Sequence, residues 1–319
     1  MRALLRLLAP GGRRAKLTTL IFHRVHARPD PLFPNEMHVT AFRERLRWIG
    51  AWFNVLPLDA AVTALARGTL PERALAITFD DGYADNVEVA LPILRQCGLS
   101  ATFFIATAFL DGGRMWNDTV IEAVRSASSS TLDLAPLGLG SYPLDSMQAR
   151  RAAIASLLGK LKYLHPDARD ERALAIASIA GHALPDDLMM TSAQVRTLAA
   201  SGMGIGAHTA THPILTSVDA SRARHDIADG RDALQAIVRA PVRLFAYPNG
   251  KPGADYAGEH VSIVRELGFA AAVSTSRGAA RSGDSLFELP RFTPWEADAA
   301  RWGYRLAQNL LIRPSEAAA

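Results

Sequence analysis

The segment LAITFDDGYAD, at residues 75–85, places three carboxylates directly after an apolar stretch. They belong to Asp80, Asp81 and Asp85. Removing an aspartate from water costs several kcal/mol unless a cation or a hydrogen-bond donor compensates its charge. Two adjacent carboxylates at the end of a buried strand therefore predict that another part of the chain supplies a cation or a donor.

A second cluster, AHTATHPIL at residues 207–215, holds His208 and His212 four positions apart. This spacing lets two imidazoles reach one metal ion, and Pro213 favours a tight turn over a helix at that point. Two histidines and one carboxylate form an open set that holds a divalent metal and leaves positions for water and substrate. We therefore expect one of the adjacent aspartates to bind a metal ion and the other to act on its water.

Short apolar runs alternate with longer amphipathic stretches along the chain. The apolar runs cover residues 17–22, 73–79, 101–106, 202–207, 243–247 and 270–275, and helical patterns cover residues 40–52, 86–96, 218–238 and 258–267. Strands that are apolar on both faces and alternate with helices indicate a parallel sheet covered by helices, either open or closed into a barrel. Between about residues 108 and 190 the strand signal fades, and Ala-rich patterns predict a helical insertion.

Polar clusters follow four of the predicted strands. FHRVH follows residues 17–22, DDG follows 73–79, HTATHP follows 202–207 and PNGKPG follows 243–247. Parallel α/β folds bind their ligands beyond the carboxyl ends of the strands. One site assembled from all four strand ends is therefore the simplest hypothesis.

At TFDDG (residues 78–82) and HTATHP (residues 208–213) the chain resembles the polysaccharide deacetylases of the NodB-homology type, carbohydrate esterase family 4. The resemblance covers about residues 17–293 and implies an α/β fold, a distorted (β/α) barrel that here carries the helical insertion. It implies Asp80 as the catalytic base. The metal ligands that it implies are Asp81, His208 and His212. The ion would be divalent, with zinc as the first choice and cobalt, nickel, iron or manganese as alternatives.

A later motif departs from the commonest family pattern. Where many members have Arg-Pro-Pro-Tyr, this chain reads FAYPNG at residues 245–250, with Ala246 in the arginine position and Asn249 in the tyrosine position. The backbone N–H of Asn249 is independent of side-chain identity, and it remains as the oxyanion donor that the family takes from that position. We also assign Tyr247 and Pro248 to substrate binding.

The expected general acid lies near the start of the chain. LIFHRV, at residues 20–25, resembles the poly-N-acetylglucosamine deacetylase branch, whose motif order is circularly permuted and whose acid histidine follows the first strand. This implies His23 as the acid that protonates the leaving amine, with a structural strand-end role as the alternative. ELPRF, at residues 288–292, resembles that branch's late segment, which implies that Arg291 orients Asp80 and lowers its pKa.

Three further residues invite a structural interpretation. His26 lies further along its loop than His23, so a structural or rim position is expected. Asp85 precedes a helical pattern and is interpreted as a helix N-cap. Trp116, in the segment MWND, predicts either a sugar-stacking wall or a tryptophan that anchors the core.

Together these residues predict a metal-dependent hydrolase that removes N-acetyl groups from an amino-sugar-containing saccharide. Two alternatives stay open: a deacylase or deformylase of a lipid-linked or nucleotide-linked amino sugar, and a non-catalytic carbohydrate-binding protein of the same fold. A non-haem iron oxygenase is disfavoured because the H-x-D pair typical of that class is absent. A glycosidase is disfavoured because adjacent strand residues point to opposite faces and the histidine pair would have no role.

The composition is that of a globular protein, with 49% hydrophobic and 21% charged residues among 319. The net charge of +4 comes from scattered arginines without an aromatic stacking platform, so no nucleic-acid partner is expected. The single Cys97 predicts a buried thiol and a reducing compartment. We expect a cytoplasmic location, with peripheral contact at the inner membrane as a further option, and the sequence does not specify an oligomeric state.

Three parts of the chain are expected. Residues 1–16 form an N-terminal basic segment, residues 17–295 the catalytic domain, and residues 296–319 a C-terminal amphipathic helix and tail. Four apolar residues of the last part can share one helix face: Trp302, Leu306, Leu310 and Leu311. Such a face predicts packing on the domain more strongly than contact with an anionic membrane.

Overall fold

The computed structural model describes residues 1–314, which form an eight-stranded sheet, a separate two-stranded hairpin and eleven α-helices. The strands are β1 (Lys16–Phe22), β2 (Asn54–Val55), β3 (Ala74–Phe79), β4 (Thr102–Ile105), β5 (Thr131–Asp133), β6 (Ser141–Pro143), β7 (Gly204–Ala207), β8 (Leu244–Ala246), β9 (Ala271–Val273) and β10 (Ala280–Arg281). The helices are α1 (Arg2–Leu8), α2 (Val39–Trp52), α3 (Leu58–Arg67), α4 (Leu91–Gln96), α5 (Trp116–Ser126), α6 (Met147–Leu161), α7 (Pro166–Ala180), α8 (Ser192–Ala200), α9 (Ala220–Val238), α10 (Gly258–Glu266) and α11 (Ala299–Asn309). A π-helical turn, Asn86–Ala90, leads into α4.

The main sheet has the strand order β10-β1-β3-β4-β7-β8-β9, with β2 paired beside the start of β3. All of these pairs are parallel except the pairing of β1 with β10. In the longest pairing Leu17 lies opposite Ala74 and Phe22 lies opposite Phe79. Strands β1 and β3 therefore end level with each other, and the residues that follow them, His23 and Asp80, begin their loops at the same edge.

The segment of residues 286–292 lies between β9 and β1. Leu289 donates its N–H to Ala272 of β9 at 2.9 Å, and Phe292 donates its N–H to Thr19 of β1 at 3.0 Å. This irregular stretch of backbone thus connects β9 with β1, near the two ends of the curled sheet. The predicted α/β fold, a distorted (β/α) barrel with a helical insertion, is confirmed.

Apolar side chains cover both faces of the curled sheet, as the continuous apolar runs of its strands predict. One buried cluster contains Ala76, Phe104 and Ala246, and a second contains Phe79 and Phe103 together with residues of the surrounding helices. A Cβ on Gly206 would lie 2.3 Å from the Phe104 ring, so this glycine provides the space that the phenylalanine occupies. Successive residues of one strand, such as Phe103 and Phe104, thus pack into different clusters on opposite faces of the sheet.

The predicted insertion lies between β4 and β7 and has its own apolar cluster. Helices α5, α6 and α7 pack together around side chains that include Val124, Leu157 and Ile176. The hairpin of β5 and β6 was not expected from the sequence. Each of its strands is three residues long and buries one side chain, Leu132 or Tyr142, which is too short a pattern to reveal a strand.

The C-terminal helix α11 packs against α2 through aromatic rings. Trp302 is fully buried, and its ring centroid lies 5.7 Å from that of Trp48 and 6.0 Å from that of Trp52. Leu306 and Leu310 of the predicted apolar face are also buried, whereas Leu311 is exposed. Residues 315–319 of the predicted tail lie outside the described residues. None of the described helices combines the length and the apolar character needed to span a bilayer.

The prediction of a buried thiol at Cys97 is wrong, because the side chain is exposed. Helix α4 ends at Gln96, and Cys97 lies in the turn that follows, before Gly98 with a positive φ of 63°. The helical pattern in the sequence runs one position beyond the end of the helix, which is why burial was expected.

Candidate active site

One cavity lies at the carboxyl ends of the barrel strands and brings the sequence motifs together. His23, Asp80 and His208 are the first residues after β1, β3 and β7, and Asn249 lies in the loop after β8. All four line this cavity, which has a volume of about 360 Å³. The motifs are adjacent because parallel strands present their carboxyl ends at one edge of the sheet.

Asp80 and Asp81 both face the cavity although they are neighbours in the chain. Adjacent residues of a regular strand point to opposite faces. Here β3 ends at Phe79, and Asp81 has a left-handed backbone with φ of 76°. Gly82 continues the kink with φ of 92°, at a point where a Cβ would lie 2.8 Å from the side chain of Ile105. This kink turns the second carboxylate to the same side as the first.

Left-handed backbone is concentrated at this site. Seven non-glycine residues in the described chain have a positive φ, and four of them are Asp81, Thr209, His212 and Asn249. Each such residue costs about 1–3 kcal/mol and persists only where surrounding contacts enforce it. The surrounding contacts therefore enforce an unfavourable backbone conformation at this site, as is common at functional sites.

The loop that carries the histidine pair is held by Asp226 of α9. Its Oδ1 accepts hydrogen bonds from the N–H groups of Ala210 at 2.7 Å and Thr211 at 2.8 Å. The N–H of His212 in turn donates to Oγ1 of Thr209 at 2.9 Å. Sequence analysis did not single out Asp226, because an aspartate on an amphipathic helix resembles any solvated surface residue.

Three side chains converge in a geometry that fits a divalent metal. Nε2 of His208 and Nε2 of His212 each lie 3.4 Å from Oδ1 of Asp81, and the three ligand atoms lie within 4.8 Å of one another. Nδ1 of His208 is 2.7 Å from the carbonyl oxygen of Ala246, which can only accept a hydrogen bond. The proton of His208 is therefore on Nδ1, and the lone pair of Nε2 faces the ligand cluster.

The electrostatics of this cluster follow from two imidazoles that share one carboxylate. Burial would raise the pKa of Asp81, but the neighbouring imidazoles of His208, His23 and His212 lower it below its ordinary range. Burial lowers the pKa of His212 to about 4, and the positive charge of Arg169 adds to this effect. An ionised carboxylate and a neutral imidazole are the states that bind a metal ion.

Asp80 has a different partner. The guanidinium of Arg291 donates to both of its carboxylate oxygens, at 2.5 and 2.7 Å, and to the carbonyl oxygen of Ser274 at 3.1 Å. Arg291 is 1% exposed, and its guanidinium lies over the ring of Phe104. Burial by itself would raise the pKa of Asp80, but Arg291 and His208 lower it. The pairing that the late motif implies is present in the structure.

His23 lies on the cavity wall with its side chain exposed. Within residues 1–314 its imidazole makes no hydrogen bond, whereas its carbonyl oxygen accepts one from Nδ2 of Asn86 at 2.8 Å. His26 does not line this cavity, and its Nε2 is 2.5 Å from Oε2 of Glu36. Of the two histidines, His23 is the one with an imidazole available to a substrate.

The interpretation of Asp85 as a helix N-cap is wrong. It precedes the π-helical turn but makes no side-chain cap. Its carboxylate instead accepts hydrogen bonds from Nε of Arg24 at 2.8 Å and from the N–H of Val25 at 3.1 Å. Asp85 therefore holds the loop that begins with His23, a contact between distant segments that local sequence does not reveal.

The loop after β8 supplies a backbone donor but not the expected side chains. The N–H of Asn249 makes no hydrogen bond to any described residue, and Asn249 lines the cavity. Tyr247 is fully buried and stacks on Tyr256 with ring centroids 3.8 Å apart. Pro248 is also buried, and neither residue lines the cavity. The assignment of Tyr247 and Pro248 to substrate binding is corrected, because their side chains have no free surface to contact a sugar.

The insertion forms the opposite wall of the cavity. Trp116 lines the cavity and also packs on the apolar cluster of the insertion, so both of its predicted roles have a structural basis. Arg169 of α7 lies with its guanidinium 5.1 Å from the Trp116 ring centroid, and Lys162 lies at the end of α6. Neither cation could be recognised from the sequence, because both lie in a region without strand or motif signals.

Known proteins share this sequence pattern and this fold. The family model described as polysaccharide deacetylase matches residues 67–132 and 172–272. The putative polysaccharide deacetylase YxkH of Bacillus subtilis (strain 168) is 19% identical over 279 residues, which cover 87% of this chain and 71% of that protein.

Solved structures of similar fold include IcaB from Ammonifex degensii, with a TM-score of 0.61 and 18% identity over 95% of this chain and 99% of that one. They also include the Streptococcus pyogenes deacetylase PplD in complex with acetate, with a TM-score of 0.57 and 19% identity over 87% of this chain and 92% of that one. At these identities the likeness concerns the fold.

Proposed function

The chain belongs to the polysaccharide deacetylase family, and on this premise we propose that it is a metal-dependent hydrolase that removes N-acetyl groups from an amino-sugar-containing saccharide. One observation carries the proposal. Two adjacent carboxylates lie at the base of one cavity, and one of them, Asp80, is paired with Arg291 while the other, Asp81, faces two imidazoles. This arrangement supplies a base and a metal-ligand set side by side.

The residues that would hold the ion are Asp81, His208 and His212. Two imidazoles and a carboxylate suit zinc first, and cobalt, nickel, iron or manganese remain possible occupants. A divalent ion supplies Lewis acidity toward an amide carbonyl oxygen and toward a water molecule. Because Nδ1 of His208 donates to Ala246, the orientation of this ligand is fixed before any ion binds.

In this proposal Asp80 is the general base, which takes a proton from the water that attacks the acetamide carbon. Two hydrogen bonds from Arg291 fix the plane of the carboxylate. The same pairing keeps the carboxylate ionised, so it can accept a proton at neutral pH. General-base catalysis of this kind contributes about 10²–10⁴-fold to a rate.

Two further groups complete the proposed reaction. The N–H of Asn249 would donate to the developing oxyanion, because Asn249 lines the cavity and this N–H has no hydrogen-bond partner among residues 1–314. His23 donates a proton to the leaving nitrogen. An amine leaves poorly unless it is protonated as the C–N bond breaks, and the His23 imidazole is unpaired and exposed on the cavity wall.

The proposal is tested by measuring acetate release from tetra-N-acetylchitotetraose with the purified protein. We expect release that stops when a chelator removes divalent ions and resumes when Zn²⁺ or Co²⁺ is restored. Saturable binding of the oligomer without acetate release, with each of the five metals supplied, would instead identify a carbohydrate-binding protein. Faster release of formate from an N-formyl amino sugar would favour the deformylase alternative.

A further inference from the structure

The active-site cavity contains two cations that the proposed reaction does not use. Lys162 and Arg169 both belong to the insertion and lie on the cavity wall opposite the barrel strands. Arg169 is 3% exposed, so it is a buried charge rather than a mobile surface side chain. A buried guanidinium is costly unless its donors are satisfied.

The donors of Arg169 are only partly satisfied by the protein. Its Nε donates to Oδ1 of Asp170 at 3.2 Å, and Asp170 is itself largely exposed. Nη1 and Nη2 make no hydrogen bond to any residue in the part of the chain that the structure describes. The Trp116 ring below the guanidinium restricts its movement. The two terminal nitrogens are therefore held in place with their N–H groups available to a ligand in the cavity.

The charges around the cavity do not balance. A second cavity of about 780 Å³ adjoins the first and shares His23 and Thr275 with it. The carboxylates that line the two cavities are Asp80, Asp81 and Glu36, and each already faces a partner, namely Arg291, the imidazole pair and His26. By contrast, Lys162 and Arg277 form no ion pair within residues 1–314. The charged side chains without an ion-pair partner along these two cavities are therefore positive.

We propose that the substrate carries an anionic oxygen group, a carboxylate or a phosphate, on or next to its N-acetylated sugar, and that Arg169 and Lys162 bind this group. A guanidinium offers two parallel N–H donors that match a carboxylate or a phosphate, and a lysine adds a point charge. This inference rests on the proposed function, since it places the anion beside the acetamide that is hydrolysed. The insertion then determines substrate specificity.

Three probes separate the sources of the anion. Acetate release is measured with tetra-N-acetylchitotetraose, which is neutral, with a tetrasaccharide that alternates N-acetylglucosamine and glucuronate, and with UDP-N-acetylglucosamine. Because hydrogen bonds to a charged group are stronger than those between neutral groups, we expect kcat/KM for one of the anionic probes to exceed that for the neutral one at least about tenfold. Preference for the glucuronate probe identifies a carboxylate, and preference for the nucleotide sugar identifies a phosphate.

Two variants assign this preference to the named residues. Arg169→Gln and Lys162→Gln should each reduce the anionic-to-neutral ratio of kcat/KM several-fold, mainly through KM of the anionic probe. Arg172→Gln is the matched control, because it removes one charge from the same helix outside the cavity. If Arg169→Gln fails to fold, Arg169→Lys and Lys162→Gln carry the test.

Equal rates on neutral and anionic probes with the wild type overturn the inference but leave the proposed function intact. Equal losses of kcat/KM on the anionic and neutral probes in the Arg169 and Lys162 variants likewise overturn the inference and leave the proposed function intact. If no probe releases acetate, the proposed function fails, and binding to the chelator-treated protein is measured by calorimetry. Tighter binding of an anionic probe than of the neutral one, lost in Lys162→Gln, then supports the anion site alone, whereas equal binding refutes it.

Discussion

Asp80 and Asp81 are adjacent in the chain, but their carboxylates face opposite kinds of partner. Arg291 donates two hydrogen bonds to Asp80, while Oδ1 of Asp81 lies 3.4 Å from one nitrogen of each imidazole in the histidine pair. A guanidinium is permanently protonated and cannot bind a metal, whereas a neutral imidazole can. The partners therefore separate the two aspartates into one carboxylate paired with a guanidinium and one that belongs to the proposed metal-ligand set.

Substitutions at the ligand cluster should separate metal binding from turnover. We expect Asp81→Ala, His208→Ala and His212→Ala each to lower bound divalent metal strongly, because each removes one of three protein ligands. Asp80→Asn should retain the metal and lose about 10²-fold or more in acetate release, the scale of general-base catalysis. Metal content is measured by elemental analysis of protein dialysed against a defined Zn²⁺ buffer.

His225→Ala is the control for these ligand variants, because His225 is exposed on α9 and lies outside the cavity. It should keep full metal content and activity. Stoichiometric metal in all three ligand variants would contradict the ligand assignment. Wild-type turnover in Asp80→Asn would contradict its role as the base.

The buried ion pair makes a prediction about stability. Arg291→Met leaves the Asp80 carboxylate without its partner in a buried position, so the free energy of unfolding should fall by about 3–5 kcal/mol. The double variant Asp80→Asn/Arg291→Met removes both charges and should recover a large part of this loss. Urea denaturation of the chelator-treated proteins measures both effects. If the double variant is as unstable as the sum of the two single variants, the pair does not couple as described.

The role of His23 is tested by comparing two leaving groups. His23→Ala should slow amide hydrolysis by about 10²-fold or more, since the amine requires protonation as it leaves. Hydrolysis of 4-nitrophenyl acetate should be nearly unchanged, because a phenolate leaves without a proton. Metal content should be that of the wild type. Similar losses on amide and ester would show a structural role for His23, and His26→Ala would be the next variant to measure.

Asp118, which is not one of the proposed metal ligands, gives a pH-dependent prediction. Burial raises the pKa of this carboxyl to about 7, and its oxygens accept hydrogen bonds from the Tyr83 hydroxyl at 3.1 and 3.2 Å. Because the folded state binds the proton more tightly than the unfolded state, Asp118 lowers stability progressively as pH rises from about 4 to 7. Asp118→Asn removes this titration and keeps an acceptor for Tyr83.

We therefore compare the free energy of unfolding of Asp118→Asn with that of the wild type at pH 5 and at pH 8. The difference should shift in favour of the variant by about 1 kcal/mol or more as the pH rises, since one pKa unit corresponds to about 1.4 kcal/mol. Urea denaturation of the chelator-treated proteins at the two pH values measures the change. An advantage of the variant that is the same at both values would show that Asp118 does not titrate in this range.

The sequence was sufficient to predict six strands of the main sheet, their common edge and the motifs that meet there. Continuous apolar runs indicate strands that are buried on both faces, which is typical of parallel sheets. Parallel strands place their carboxyl ends at one edge of the sheet, whatever segments connect them. That is why the sequence predicts Asp80, His208 and Asn249 in one site. The types of these residues, with the family resemblance, also indicated the chemistry.

Side-chain direction was decided by the tertiary structure. The left-handed backbone at Asp81 turns a strand neighbour toward the same cavity as Asp80, and burial against Tyr256 turns Tyr247 away from it. Neither orientation follows from residue type, because φ and packing are set by contacts with distant segments. The wall that contains Arg169 likewise depends on how the insertion folds over the barrel. Local patterns specify which elements form, and only their packing specifies which side chains face each other.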